Sequence, residues 1–92
     1  MDIFITIAVR IIKEQELIIG PLAWEEAGKV KGLEINLDKE TLQLTGDKKQ
    51  VINGLVKQYS RLFGRASQEV CKDAVRDIIA ELPKNEVPSA LE

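Results

Sequence analysis

The sequence contains no histidine and only one cysteine, and these shortages exclude much of the chemistry open to a small protein. Without histidine there is no imidazole base, no histidine-activated nucleophile and no zinc site that needs an imidazole ligand. The single thiol, Cys71, cannot form an intrachain disulfide and gives no sign of an oxidising compartment. We therefore expect a cytoplasmic protein that is not an enzyme and that has no catalytic residues, cofactor or metal.

The sequence also lacks an excess of one charge and a long apolar run. Lysine and arginine number 13 and aspartate and glutamate 15, so the net charge of −2 gives no general attraction for nucleic acid or an anionic membrane. The apolar run at the N-terminus is interrupted by Arg10 and stops before Lys13. It is well short of the roughly 20 residues that a membrane span needs. Carboxylates are frequent, but they fall on predicted polar faces, where nothing indicates a catalytic pair.

The composition is that of one small globular domain. Of the 92 residues, 45% are apolar and 30% are charged, values that are ordinary for folded domains. We expect this domain to cover 1–83, because Pro83 closes the last helical pattern. The remaining residues, 84–92, show no periodicity and predict a loose C-terminal tail. Its last two residues, Leu91 and Glu92, are compatible with a remnant of a cloning site.

The N-terminal segment permits two interpretations. It alternates like a strand, and its β-branched content favours a strand. It also shows helical spacing, with Asp2 as a possible N-cap and good helix formers at 13–17, and we favour a helix over 2–19. The apolar residues at helical spacing are Ile3, Phe4, Ile7, Ala8, Ile11, Ile12, Ile18 and Ile19.

Two shorter elements are predicted next. Pro21 suits the first turn of a short helix, which Gly32 stops. Apolar and polar residues then alternate on both sides of a turn at 38–41, a pattern that predicts a two-stranded antiparallel hairpin with one aliphatic face. The aliphatic positions are Leu33, Ile35, Leu37, Leu42 and Leu44.

The clearest pattern is a pair of amphipathic helices joined at Gly64, with Asp47 and Ser67 as their N-caps. The short connection predicts an αα-hairpin over 47–82, packed on the aliphatic face of the β-hairpin, with Cys71 inside the core. The predicted fold class is therefore α+β. It is a mostly helical small domain with an N-terminal helix, a short second helix, the two-stranded hairpin and the C-terminal αα-hairpin.

The first nineteen positions carry more apolar residues than one face of a helix can bury in so small a domain. The side chains expected to be buried within the domain are Ile3, Ile7, Ile11 and Ile18. Trp24 either caps the core or anchors a protein contact. The candidate interface consists of Ile5, Val9, Ile12 and Trp24. Such a surplus predicts a non-catalytic protein-interaction or regulatory module that associates with itself or with another protein.

An alternative hypothesis is a small nucleic-acid-binding protein that uses basic residues between 57 and 76. The segment 59–70 resembles a helix-turn-helix, with a small residue at Ser60 and an apolar one at Val70. Arg65 and Asp73 depart from that motif, because both occupy positions that are usually apolar. The candidate anion-binding residues are Lys57, Arg61, Arg65, Lys72 and Arg76.

Overall fold

The computed structural model describes residues 2–36, 38–39 and 41–92. Predictions that involve Met1, Leu37 or Glu40 lie outside the described residues. The elements are α1 (Ile3–Ile19), α2 (Leu22–Ala27), β1 (Leu33–Asn36), β2 (Thr41–Leu44), α3 (Lys48–Phe63), α4 (Arg65–Ala74), α5 (Arg76–Ile79) and two 3₁₀ helices, Lys84–Glu86 and Ser89–Leu91. The predicted α+β class is confirmed, with helices as the main content and one two-stranded antiparallel hairpin.

The N-terminal segment is a helix rather than a strand, and the predicted N-cap is present. The Asp2 carboxylate accepts a hydrogen bond from the Phe4 backbone N–H at 2.9 Å, which satisfies one of the unpaired amides of the first turn. The same carboxylate forms an ion pair with Lys48, at the first residue of α3. The starts of α1 and α3 therefore lie side by side.

The other ends of these two helices also lie close together. The Gln15 side chain near the end of α1 reaches the carbonyl of Ser67, which follows the end of α3 by four residues. Nearer the start of α1, the guanidinium of Arg10 reaches the carbonyl of Ala74, the last residue of α4, and the carboxylate of Asp77 in α5 at 3.1 Å. Thus α1 and α3 run parallel to each other. The helix α4 runs antiparallel to both of them and packs against both. The molecule measures 32 × 26 × 19 Å.

The hairpin has the register that its alternation predicts. Leu33 pairs with Leu44 and Ile35 with Leu42, so one face is aliphatic. We expected this face to pack on the C-terminal helices, but its main neighbours are α1 and α2. The apolar stripes of α3 and α4 pack against each other and against α1. The hairpin therefore covers the side of α1 and α2 that α3 and α4 do not cover.

The last predicted helix is broken. It begins at Arg65, directly after Gly64, and Ser67 is a buried residue of its first turn rather than its N-cap. It stops at Ala74, because Val75 adopts φ −124° and ψ 12° before α5 begins. The guanidinium of Arg10 donates to the Ala74 carbonyl at 3.3 Å. That carbonyl would bond an amide four residues on in a continuous helix, so Arg10 offsets part of the cost of the break.

The segment 84–92 is packed and is not the loose tail that we expected. Leu91 is buried, and the Ala90 backbone N–H donates to the Asn53 side-chain oxygen at 2.9 Å. The Lys49 ammonium donates to the Asn85 carbonyl at 2.7 Å. The segment consists of single 3₁₀ turns, which are too short to show a periodic pattern in the sequence. It lies along α3, and its last residues also contact α4.

Candidate protein-interaction surface

The structure leaves two of the four candidate interface residues near the surface. Ile12 is fully buried in the core, and Trp24 is 3% exposed. The Trp24 indole N–H donates to the Glu16 carboxylate at 3.1 Å, so its polar edge is satisfied within the chain. Trp24 therefore caps the core, which is one of the two roles that the sequence permits for it. Ile5 and Val9 are half-buried on α1 and line a shallow hollow of about 490 Å³.

A larger apolar surface lies at the end of the molecule where α1 and α3 stop. Leu17 is 81% exposed and Ile18 63% exposed, in the last turn of α1. Leu22 at the start of α2, and Leu62 and Phe63 at the end of α3, are also exposed. We call the surface formed by these five residues the open end. Near this end, Gln15 joins α1 to Ser67 of α4, and Tyr59 joins α3 to the Ala23 carbonyl of α2.

The open end continues the core stripes of α1 and α3 beyond the part of the core that is covered. Ile18 follows the buried Ile11 by seven residues, and Leu62 follows the buried Leu55 by seven. A spacing of seven residues returns to nearly the same side of a helix. These side chains therefore point in the direction of the core but lie past its last covered turn. The sequence analysis placed Ile18 in the core, and its exposure corrects that expectation.

Ile3 is a second correction, because it is 38% exposed although we expected it to be buried. It lies in the first turn of α1, at the opposite end of the molecule from the open end. The buried side of α1 consists of Ile7, Ala8, Ile11, Ile12 and Gln15. Ile3 is thus an isolated exposed side chain, of a kind that is common on protein surfaces.

The residue below the open end that sequence reasoning missed is Gln15. It is fully buried, and its amide donates to the Ser67 carbonyl at 3.0 Å and to the Cys71 sulfur at 3.4 Å. Its side-chain oxygen has no hydrogen-bond partner among the described residues. The position of Gln15 in the sequence could have identified it as buried. It follows Ile11 by four residues and so falls on the core-facing side of the helix.

Two titratable groups are enclosed in the same core. Burial raises the pKa of the Cys71 thiol to about 11. Burial is also the main cause of the raised pKa of Tyr59, whose hydroxyl donates to the Ala23 carbonyl at 2.6 Å. Both groups are therefore protonated at neutral pH. Tyr59 joins α3 to α2 through the Ala23 carbonyl, and Cys71 joins α4 to α1 through Gln15.

The candidate anion-binding residues are distributed over α3, α4 and α5. Lys57 and Arg61 lie one turn apart on α3, and Arg65 follows across Gly64. Lys72 lies 3.8 Å from the Glu69 carboxylate. Arg76 pairs with Asp73, whose hydrogen bond raises the pKa of the guanidinium. Two of the five cations thus already have carboxylate partners, which would also lie close to a bound phosphate backbone.

Other kinds of site were sought within 2–36, 38–39 and 41–92. These residues include no group of three or more side chains suited to hold a metal ion. None of their helices combines the length and the hydropathy that a membrane span requires. Comparisons with protein-family models, curated proteins and solved structures found no match to this chain.

Proposed function

We propose that this protein is a non-catalytic protein-interaction module that associates with itself. The observation that carries the proposal is the open end, where large apolar side chains are exposed at the end of α1, the start of α2 and the end of α3. Single exposed apolar residues are ordinary, whereas a contiguous group of them is typical of a surface that a partner covers. The surplus of apolar residues in the first nineteen positions supports the same proposal.

The environment of the titratable side chains supports a role in binding rather than in catalysis. Tyr59 and Cys71, which have strongly raised pKa values, are enclosed in the core where a substrate would not reach them. The lowered pKa values of Asp2 and Asp77 arise mainly from hydrogen bonds to Lys48 and Arg10, which are surface ion pairs between helices. These shifts in pKa follow from burial in the core and from ion pairs between helices. A single buried thiol also suits a cytoplasmic setting.

Sedimentation velocity of the full chain over a wide concentration range tests this function. We expect the weight-average sedimentation coefficient to rise with concentration and to depend on salt far less steeply than nucleic-acid binding does, because burial of apolar surface provides most of the gain. A monomer at every concentration would contradict self-association. Retention on a duplex-DNA column that weakens steeply with salt would instead favour nucleic-acid binding through Lys57, Arg61 and Arg65.

A further inference from the structure

We infer that the open end is where a second copy of this chain docks, in a two-fold pairing that sets its acidic half against the basic half of the partner. The inference rests on the proposed self-association and specifies the surface and the orientation. The five side chains of the open end supply the apolar centre of the contact. The charges around them determine which occupant fits.

The acidic half of the open end is supplied by α1 and α2. Glu14 precedes Ile18 by four residues, and Glu25 follows Leu22 by three, so each carboxylate lies beside an exposed apolar side chain on its own helix. Both are exposed, and neither forms an ion pair with another described residue. Lys13 is a cation on the outer side of Leu17. The net charge of these three residues is still negative.

The basic half is supplied by α3 and α4. Arg61 and Arg65 are exposed and lie on either side of Leu62 and Phe63 in the chain. Arg61 donates a hydrogen bond to the neutral Gln58 side chain at 3.0 Å. Arg65 forms no ion pair with another described residue. The open end therefore has a cationic side and an anionic side around one apolar centre.

This arrangement of charge is complementary to itself. The required two-fold axis passes through the apolar centre, in the plane of the contact and along the boundary between the two halves. Rotation about this axis places the α1–α2 half of one copy on the α3–α4 half of the other. Glu14 and Glu25 then face Arg61 and Arg65 of the second copy in both halves of the contact. A uniformly acidic partner would bring carboxylates towards Glu14 and Glu25, and a uniformly basic one would bring cations towards the arginines. A second copy is the occupant that satisfies both sides.

The first test places a charge in the apolar centre of the full-length chain. We expect Ile18→Glu to weaken the dimer by about tenfold or more in sedimentation equilibrium, because a carboxylate there loses its water on docking. Ile3→Glu is the matched control, since it changes an exposed isoleucine of the same helix at the opposite end. It should leave dimerisation unchanged. Circular dichroism melting checks the fold, and we expect both variants to remain folded because both positions are exposed.

The second test reverses the charge of one half at a time. Arg65→Glu and the double variant Glu14→Lys with Glu25→Lys should each dimerise more weakly than the wild type. An equimolar mixture of these two proteins should recover dimers, because the unchanged acidic half of one then faces the unchanged basic half of the other. Native mass spectrometry with one protein isotopically labelled identifies the mixed species. Equal dimerisation of all these proteins would overturn the proposed orientation.

The outcomes separate this inference from the function on which it rests. If the wild type dimerises and Ile18→Glu dimerises equally well, while Val9→Glu remains folded but no longer dimerises, the contact uses the hollow at Ile5 and Val9. The open-end pairing is then wrong and self-association stands. If the wild type remains monomeric at every concentration, the open-end pairing and the proposed self-association are both wrong. The partner that covers the open end is then a different protein.

Discussion

Gln15 is a polar side chain enclosed in an apolar core, and only half of its amide is satisfied. A buried polar atom without a partner reduces stability by about 1–3 kcal/mol. We expect Gln15→Met, which keeps the length of the side chain and removes its polar atoms, to leave the free energy of unfolding unchanged or to raise it by up to about 1 kcal/mol. Gln15→Ala should instead lower it by roughly 2 kcal/mol through the cavity it creates. Equal losses in urea unfolding of the two variants would contradict this account.

Cys71 should behave as a buried structural thiol. Its sulfur is enclosed in the core and its pKa is raised to about 11, so little thiolate is available at neutral pH. We expect a thiol-specific reagent to modify the native protein far more slowly than the protein in denaturant, which serves as the control. Rapid native modification would show that the α1–α4 contact opens readily. Because the folded-state pKa is above the unfolded one, stability should fall as the pH rises past the ordinary thiol range.

Asp2 contributes to stability both as an N-cap and as a partner of Lys48. The hydrogen bond from Lys48 is the main reason that the pKa of Asp2 is lowered. A lowered folded-state pKa means a contribution that is present above the unfolded-state pKa and is lost as the pH falls through the folded-state value. We expect Asp2→Ala to lower the free energy of unfolding by about 1 kcal/mol at neutral pH. The difference from wild type should shrink in acid.

The pH dependence of Asp2→Ala can be assigned with one further variant. Lys48→Met removes the ion pair and leaves the N-cap hydrogen bond to Phe4 in place. Urea unfolding at neutral and acidic pH should show a smaller loss for Lys48→Met than for Asp2→Ala. A difference between wild type and Asp2→Ala that does not shrink at all as the pH is lowered would mean that the charge of Asp2 is not what stabilises α1.

At the scale of elements, most of the fold could be predicted because local patterns determine it. Asp2, Asp47 and the alternation of the hairpin gave the correct element types and their approximate starts. The break at Val75 could not be predicted, since it depends on Arg10, which contacts Ala74 from 64 positions away in the sequence. The packing of 84–92 was missed for a related reason. It depends on single contacts such as that of Asn53, rather than on a repeated pattern.

Gly32 connects α2 to the hairpin where the backbone approaches α3 closely. Its φ is +92°, and a Cβ there would lie 2.5 Å from the Val51 side chain and 2.9 Å from the Thr45 carbonyl. We expect Gly32→Ala to lower the free energy of unfolding by more than about 2 kcal/mol, because backbone strain and overlap add. Gly46→Ala is the matched control, since Gly46 also has a positive φ but no atom within 4 Å of such a Cβ. Similar melting temperatures of the two variants would contradict the close approach.

At the scale of the whole molecule, the candidate surface could be predicted only in part. Helical spacing gives the direction in which Ile18 and Leu62 point around their helix axes. It does not say how far along each axis the neighbouring helices extend, and that length decides whether these side chains are covered. The same limit applies to Ile12 and Trp24, which were candidate interface residues and which other elements cover. The excess of apolar residues was therefore recognised, but the candidate interface included these two covered residues and did not include the exposed Ile18.

The parallel course of α1 and α3 also determines where α1 begins. Asp2 contacts the first residue of α3, so the start of α1 lies at the opposite end of the molecule from the open end. A protein fused ahead of Asp2 would therefore leave the open end accessible. Two copies paired through their open ends would carry such fused proteins at opposite poles. The pair would then act as a spacer that holds the two fused proteins apart.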